Sequence, residues 1–166
     1  MQKLLLIGIV ATLLGGCTLF DSTTPFDEVY DLFPVQLGDS PDQVRAKMGA
    51  PGYSWMGDCL CWGYEYVAGP YAKMRLTFPE IPGEDEPLMG ISVEAPYNGS
   101  SRHGLRIGAT RNVVRQMLGT PDAKPDGAPS DTGWDRFSYD SRSISIDYDT
   151  NNRVTRISIG EKAADR

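Results

Sequence analysis

Two of the three cysteines in this sequence form a local pair that could carry redox or metal chemistry. Cys59 and Cys61 are separated by one residue, and nearby thiols in an oxidising compartment tend to form a disulfide. On an extended strand, however, such residues lie about 6.6 Å apart, whereas a disulfide prefers Cβ atoms about 3.8 Å apart. A possible Cys59–Cys61 disulfide therefore requires a tight turn, and a redox-active or copper-binding pair is the alternative.

The other residue types form no recognisable catalytic or metal-binding constellation. His103 is the single histidine and lies in a polar segment, which excludes a histidine-rich metal site. The sequence contains no P-loop, Rossmann or zinc-protease motif. Asp135, Asp147 and Asp149 alternate with apolar residues, so we expect them on a solvated strand face. We therefore expect no enzyme activity, no catalytic residue, no metal and no cofactor.

The first sixteen residues have the pattern of a lipoprotein signal peptide. Lys3 precedes an apolar run over 4–14, shorter than the roughly 20 residues that a membrane-spanning helix needs. The sequence Leu14-Gly15-Gly16-Cys17 resembles the bacterial lipobox. That resemblance implies a covalent lipid on Cys17, and Thr18 in place of an aspartate favours the outer membrane over the inner membrane.

Composition limits the remaining possibilities. The chain of 166 residues carries 16 Lys and Arg against 22 Asp and Glu, a formal net charge of −6. Nucleic-acid binding needs a basic surface that neutralises phosphates, so we expect no nucleic-acid partner. The length suits one domain or two very small ones.

Two segments of the chain, 37–51 and 107–121, align without a gap and have five of fifteen positions identical. Unrelated segments match at about one position in fifteen. The identical pairs are Gly38/Gly108, Val44/Val114, Arg45/Arg115, Gly49/Gly119 and Pro51/Pro121. Ser40 and Thr110 are helix N-cap residue types, and the later glycines suit the residue after a helix. Each segment therefore predicts a helix of about two turns.

Alternating apolar residues after each helix predict strands. Met74, Leu76 and Phe78 alternate with polar residues in the first half, and so do Ile144 and Ile146 in the second. We predict an α+β fold of two tandem repeats, each a short helix packed on a three-stranded antiparallel β-meander. The predicted boundaries are 1–16 for the signal peptide, 17–33 for a lipidated tether, 34–96 for the first repeat, 97–104 for a connector, 105–160 for the second repeat and 161–166 for a tail.

The second half contains Leu105–Gly108, Val114–Pro121, Trp134–Tyr139 and Ser143–Ile159 in this order, and 37–51 carries a weaker version of the same pattern. On these residues, the second half resembles the SmpA/OmlA (BamE-like) lipoprotein domain of outer-membrane assembly. A tandem of such units is also similar in architecture to the β-lactamase inhibitory protein, in which two helix-plus-sheet repeats form a concave surface. The chain departs from the single-domain family pattern in having two units. The family's partner-contacting residues are not matched in this sequence, so none of them is transferred.

The resemblance implies a non-enzymatic, lipid-anchored outer-membrane protein that faces the periplasm and binds an envelope protein during cell-envelope or outer-membrane assembly. The alternative is a membrane-tethered inhibitor of a periplasmic or secreted enzyme. Large aromatic residues are enriched at protein interfaces. Candidate partner-binding residues are Trp55, Trp62, Tyr71 and Trp134, of which we expect Trp55 and Tyr71 in loops.

The lipobox gives the first testable prediction. Cys17→Ala is expected to abolish lipid labelling and to move the protein from the detergent phase to the aqueous phase of a Triton X-114 partition, since each buried CH₂ of an acyl chain contributes about 0.8 kcal/mol. Cys59→Ala is the control and keeps the lipid. Lipid label on the Cys17→Ala protein would contradict the assignment.

Overall fold

The structure, a computed structural model, describes residues 25–57, 61–79, 86–122 and 133–161. Its α-helices within these ranges are α1 (Pro25–Tyr30), α2 (Pro41–Met48) and α3 (Arg111–Leu118), and a 3-10 turn spans Gly69–Tyr71. Its strands are β1 (Tyr53–Gly57), β2 (Cys61–Tyr66), β3 (Met74–Phe78), β4 (Gly90–Glu94), β5 (Trp134–Tyr139), β6 (Arg142–Tyr148) and β7 (Val154–Glu161). Every pairing between these strands is antiparallel.

In the described part of the chain, one seven-stranded sheet contains all the strands, in the order β1-β2-β3-β4-β7-β6-β5. The two halves join where β4 pairs with β7, with Ile91 opposite Ile159 and Val93 opposite Ile157. The prediction of two tandem repeats, each with its own three-stranded meander, is therefore wrong. Two separate small sheets would leave β4 and β7 as open edges, whereas their pairing satisfies main-chain groups and merges two small cores.

Strand β1 was not predicted, and it corrects the expected loop position of Trp55. Trp55 lies in β1 opposite Gly63 of β2. The strand carries no buried apolar face, because Tyr53 is 47% exposed and Met56 is 73% exposed. It therefore lacks the alternation of buried and exposed residues by which a strand is recognised in sequence.

The helices contact one face of the sheet, which we call the inner face. A row of apolar side chains crosses this face from β3 to β5 through Leu76, Ile91, Ile159, Ile144 and Phe137. All five are buried, and burial of one such side chain contributes about 1.5–3 kcal/mol.

The folded region begins inside the segment 17–33 that was predicted as a tether. Helix α1 starts at Pro25, and Val29, Leu32 and Phe33 belong to the hydrophobic core. Val29 lies in α1, whereas Leu32 and Phe33 come after the helix has ended at Tyr30, so their apolar signal does not form a helix-length pattern. The polar residues around them concealed this signal in the sequence.

The two matching helices begin differently. The Ser40 hydroxyl accepts a hydrogen bond from the Gln43 N–H, and the Gln43 side chain accepts one from the Ser40 N–H, so the expected capping box is present. Thr110 stands at the same position before α3 but makes no side-chain cap. Gly49 and Gly119 end the helices with positive φ angles of 81° and 86°, as predicted.

Several predictions lie outside the described residues. They are the signal peptide over 1–16, lipidation of Cys17 and the role of Cys59. The domain boundaries also stay predictions. Among the described helices, none is both long and apolar enough to cross a membrane.

The difference between the helix starts gives a second prediction. Ser40→Ala should lower the free energy of unfolding by about 1 kcal/mol, because it removes the hydroxyl that satisfies a free N–H at the start of α2. Thr110→Ala is the matched control and should cost less than about 0.3 kcal/mol, since Thr110 makes no such bond. Urea unfolding measures both, and equal losses would contradict the capping assignment.

Candidate protein-binding surface

The sheet face opposite the helices, which we call the outer face, presents the side chains that alternate with the core residues. One cross-strand row contains Trp55, Gly63, Thr77, Gly90, Gly160, Ser143 and Ser138, and the next contains Tyr53, Glu65, Arg75, Ser92, Ser158, Ser145 and Arg136. The middle of this face is therefore a floor of small residues, with aromatic and arginine side chains towards both edges. Six strand spacings of about 4.8 Å separate these edges by about 29 Å.

Trp55 forms an aromatic platform at the β1 edge. Its indole lies directly on Gly63, where an added Cβ would be 2.7 Å from two ring atoms. The guanidinium carbon of Arg75 lies 5.2 Å from the ring centroid, within the range of a cation–π interaction. The indole N–H is buried without an acceptor among the described residues, and an unmade hydrogen bond costs about 1–3 kcal/mol.

A buried carboxylate supports this platform from β2. Glu65 is 6% exposed and forms an ion pair of 2.9 Å with Arg75. The hydrogen bond from the Tyr53 hydroxyl to Glu65 raises the pKa of Tyr53. Glu65 therefore holds Arg75 over the indole of Trp55 and orients Tyr53 beside it.

The opposite edge carries a second tryptophan–arginine pair. Trp134 begins β5, and the guanidinium carbon of Arg136 lies 5.5 Å from its ring centroid. Trp134 pairs across the strands with Asp147, which forms an ion pair of 3.4 Å with Arg156. The structure thus places Trp55 and Trp134, two of the four candidate residues, on one face at its two edges.

The other two aromatic candidates occupy different surroundings. Trp62 is 7% exposed and stacks on Phe78 on the inner face, with ring centroids 4.6 Å apart. It belongs to the core and does not reach the outer face. Tyr71 ends the 3-10 turn and packs edge-on against Tyr66 at 6.0 Å.

Cys61 lies at the start of β2 and is disulfide-bonded. The other two cysteines of the chain, Cys17 and Cys59, lie outside the described residues. The pairing with Cys59 therefore stays a prediction.

His103, the only histidine, is exposed in the predicted connector, and within the described ranges no three His, Cys, Asp or Glu residues cluster in a way that could hold a metal ion.

Asp135 is buried, which corrects its expected position on a solvated strand face. It is 2% exposed on the inner face, in the same row of alternation as Phe137. Both of its oxygens accept hydrogen bonds from Arg115, at 2.9 and 3.0 Å, and one also accepts from the Tyr148 hydroxyl at 3.1 Å. Burial and the charge of Asp135 raise the pKa of Tyr148. The arginine repeated in the two helices therefore anchors α3 to β5.

A polar cleft lies where α3 begins. It has a volume of about 610 Å³ and is lined by Thr110, Arg111, Asn112, Asn151 and Asn152. Arg111 is the first residue of the helix and is 7% exposed. Its guanidinium donates to the Asn152 side-chain oxygen at 3.1 Å and lies 4.3 Å from the centroid of the Tyr148 ring.

The architecture defines an α+β protein in which helices cover one face of an antiparallel sheet and leave the other face accessible. Two solved structures share this fold at low sequence identity. A cysteine-rich secretory protein from Staphylococcus aureus has a TM-score of 0.54 and 13% identity over 76% of this chain. An extracellular protein from Bacillus anthracis that contains an SCP domain has a TM-score of 0.53 and 10% identity over 98% of this chain. The match spans only 44% and 50% of those two longer chains.

Sequence comparison defines the family. The outer membrane protein assembly factor BamE from Acinetobacter pittii is 33% identical over 93 residues, which cover 51% of this chain and 69% of that protein. No family model matches the chain. The identity and coverage show that the chain belongs to the BamE family, and the expected BamE-like relationship is confirmed.

The contact between Trp55 and Gly63 gives a third prediction. Gly63→Ala should lower the free energy of unfolding by about 2 kcal/mol or more, because the new methyl group would overlap the Trp55 ring and the Leu76 carbonyl oxygen. Gly90→Ala is the control on the same face, since its nearest neighbour would be 3.4 Å away. Thermal unfolding followed by tryptophan fluorescence measures both effects. Equal stability of the two variants would show that the platform does not lie on Gly63.

Proposed function

We propose that this chain is a lipid-anchored outer-membrane protein that binds an envelope protein and acts in outer-membrane assembly. The observation that carries this proposal is the 33% identity to the Acinetobacter pittii assembly factor over 69% of its length. That protein's name, outer membrane protein assembly factor, supports the assembly role. The lipobox ending in Cys17 supports attachment to the outer membrane through lipid. We propose that the fold faces the periplasm, with the cell surface as the alternative.

The outer face is the proposed binding surface. Tryptophan and arginine are among the residues most enriched at the energetic centres of protein interfaces. This face carries two such pairs, Trp55 with Arg75 and Trp134 with Arg136. The small residues between them let a partner approach the sheet closely, while the flanking aromatic side chains supply contact area with few torsions to immobilise.

We further propose that the protein acts by binding alone, without an enzymatic step or a cofactor. The tryptophan–arginine pairs and the floor of small residues are a surface suited to contact. The buried ionisable group Asp135 is held by the hydrogen bonds that attach α3 to the sheet, which is a structural use of its charge. The comparisons lend no support to the alternative of a tethered enzyme inhibitor.

The experiment that tests the surface replaces the two outer-face tryptophans in cells. Trp55→Ala combined with Trp134→Ala should weaken the complex with the envelope partner at least tenfold, since each exchange removes a large anchoring side chain. Site-specific photo-crosslinking from Ser92, on the central strand β4 of the outer face, identifies the partner, and quantitative recovery of the crosslinked product measures the loss. Sensitivity of the cells to large antibiotics reports outer-membrane assembly.

Met56→Ala is the matched control. Met56 is 73% exposed and adjacent to Trp55 on β1, but alternation along the strand directs it away from the outer face. It should leave crosslinking and antibiotic sensitivity unchanged. Unaltered crosslinking in a folded double tryptophan variant would remove the outer face from the proposal. Crosslinking only to proteins with no role in outer-membrane assembly would overturn the function.

A further inference from the structure

We propose that the outer edge of strand β1 pairs with an extended segment of a protein partner, which adds a further strand to the seven-stranded sheet. The inference rests on the proposed function and deepens it. The outer face begins at β1 with Trp55, so a partner bound to that face reaches the edge directly. We call the main-chain side of Tyr53–Gly57 that is turned away from β2 the β1 edge.

The first argument is the direction of the main-chain groups in β1. Within the described ranges, β2 is its only strand neighbour. The Glu65 carbonyl accepts a hydrogen bond from the Gly52 N–H at 2.9 Å, so Glu65 directs its main-chain groups towards β1. Tyr53 lies opposite Glu65 and therefore directs its own groups towards β2. By alternation, the N–H and C=O groups of Ser54 and Met56 point outwards.

The opposite edge of the sheet is protected, whereas the β1 edge is not. At β5, the Asp122 N–H donates to the Arg136 carbonyl at 2.7 Å, so the chain itself occupies an outward acceptor of that strand. Strand β5 also contains two charged residues, Asp135 and Arg136. Charges, prolines and covering segments are the usual protection of edge strands. Strand β1, with the sequence Tyr-Ser-Trp-Met-Gly, has neither a charge nor a proline.

Exposed apolar side chains are concentrated at the same edge. Among the described residues, three large hydrophobic side chains are exposed, namely Tyr53 at 47%, Met56 at 73% and Val67 at 54%. Val67 follows β2 and lies beside Gly52, where an added Cβ would be 2.5 Å from the Val67 Cγ2. Exposed apolar residues that cluster on a soluble domain mark interaction sites. The described part of the chain therefore leaves this edge accessible to another chain.

The geometry of the edge selects an extended segment. The outward groups of Ser54 and Met56 are two residues apart, a spacing of about 6.6 Å that a second strand matches. A helix uses its N–H and C=O groups internally and cannot pair with them. In strand addition, main-chain hydrogen bonds supply the affinity and alternate side chains supply the specificity. Tyr53 and Trp55 face the outer side of the sheet, where they favour β-branched or aromatic residues in the added strand.

The side-chain pattern favours a different protein over a second copy of this chain. Antiparallel self-pairing centred on Trp55 would place Met56 opposite Ser54 of the second copy, and Tyr53 opposite Gly57. Each large side chain would then face a small one and gain little contact. A segment of another protein can place a large side chain opposite Tyr53 and so cover the exposed apolar surface.

The binding test uses a defined peptide and the full-length protein in detergent micelles. The probe is a short peptide with blocked ends in which valine alternates with threonine, with a lysine at each end for solubility. It should bind with a Kd on the order of 0.1–1 mM. At saturation it should slow hydrogen exchange of the Ser54 and Met56 amides about tenfold, because their N–H groups become hydrogen-bonded. The Arg136 amide in β5 is the internal control and should not change.

A matched peptide separates main-chain pairing from apolar contact. It has the same side chains but carries methyl groups on the nitrogens of two adjacent central residues, which removes a donor from each of its edges. It should bind at least tenfold more weakly and leave the Ser54 and Met56 amides unprotected. Because this control needs no change in the protein, it remains decisive if a protein variant fails to fold.

A pair of variants at one position locates the contact. Ser54→Pro removes an outward N–H, and its ring obstructs an added strand. Proline is tolerated on an edge strand where the N–H faces solvent, so the fold should persist. This variant should weaken binding of the valine–threonine peptide at least tenfold. Ser54→Ala keeps the N–H and should preserve binding, as should Met56→Ala.

Four results would overturn the proposal. The first two are equal binding of the two peptides and equal binding by folded Ser54→Pro and Ser54→Ala. The third is slow exchange of the Ser54 and Met56 amides in the monomeric protein without peptide, which would assign the edge to a segment of the same chain. The fourth is a concentration-dependent dimer that Ser54→Pro abolishes, which would assign it to a second copy.

Failure of this proposal is distinguishable from failure of the proposed function. The peptide assay uses purified protein and does not depend on the identity of the envelope partner. The Trp55 and Trp134 double variant tests the outer face in cells. Loss of crosslinking in that double variant, together with equal binding of the two peptides, would retain the outer face and remove only strand addition at the β1 edge.

Discussion

Antiparallel pairing between β4 and β7 is the interaction on which the rest of the structure depends. Each of these strands would be an exposed edge if the two halves of the chain folded separately. Their pairing places Ile91 opposite Ile159 and Val93 opposite Ile157, so the apolar row on the inner face continues from one half into the other. Because side chains alternate along every strand, the same register also continues the polar row on the outer face. A one-residue slip at this junction would turn the core residues of one half towards solvent.

Because the two halves form one continuous sheet, its inner and outer faces have different roles. The inner face receives the helices and holds them with specific polar contacts as well as apolar ones. Tyr66 donates a hydrogen bond to the Gly49 carbonyl at the end of α2, and Tyr139 donates one to the Leu118 carbonyl at the end of α3. Among the described residues, no helix packs on the outer face. Its largest side chains, Trp55 and Trp134, lie at opposite edges because the two halves contribute their outermost strands to one sheet.

The sequence predicted a helix or strand correctly where residues close together in the chain define it. The capping residues Ser40 and Gln43, the terminal glycines and the alternation along β3 and β6 all identified elements that the structure contains. Strand β1 was not predicted because its side chains are mostly exposed. Helix α1 was not predicted because polar neighbours surround its apolar residues. Asp135 was assigned to the wrong face because apolar residues stand on both sides of it in the chain. Trp134 and Phe137 lie on opposite faces of β5, so their apolar character alone does not show which residues of the strand face the core.

The sequence by itself determined the family relationship, the helix ends and most strands, since these depend on residues within a few positions of one another. Only the tertiary structure decided that the strands form one sheet, that Trp62 is core while Trp55 and Trp134 share the outer face, and that Arg111 lies buried beside a polar cleft. The physical reason is that these features depend on pairing between strands that are far apart in the chain, such as Gly90 of β4 with Gly160 of β7. Hydrogen-bond register between distant strands sets those positions, and no local pattern of residues encodes it.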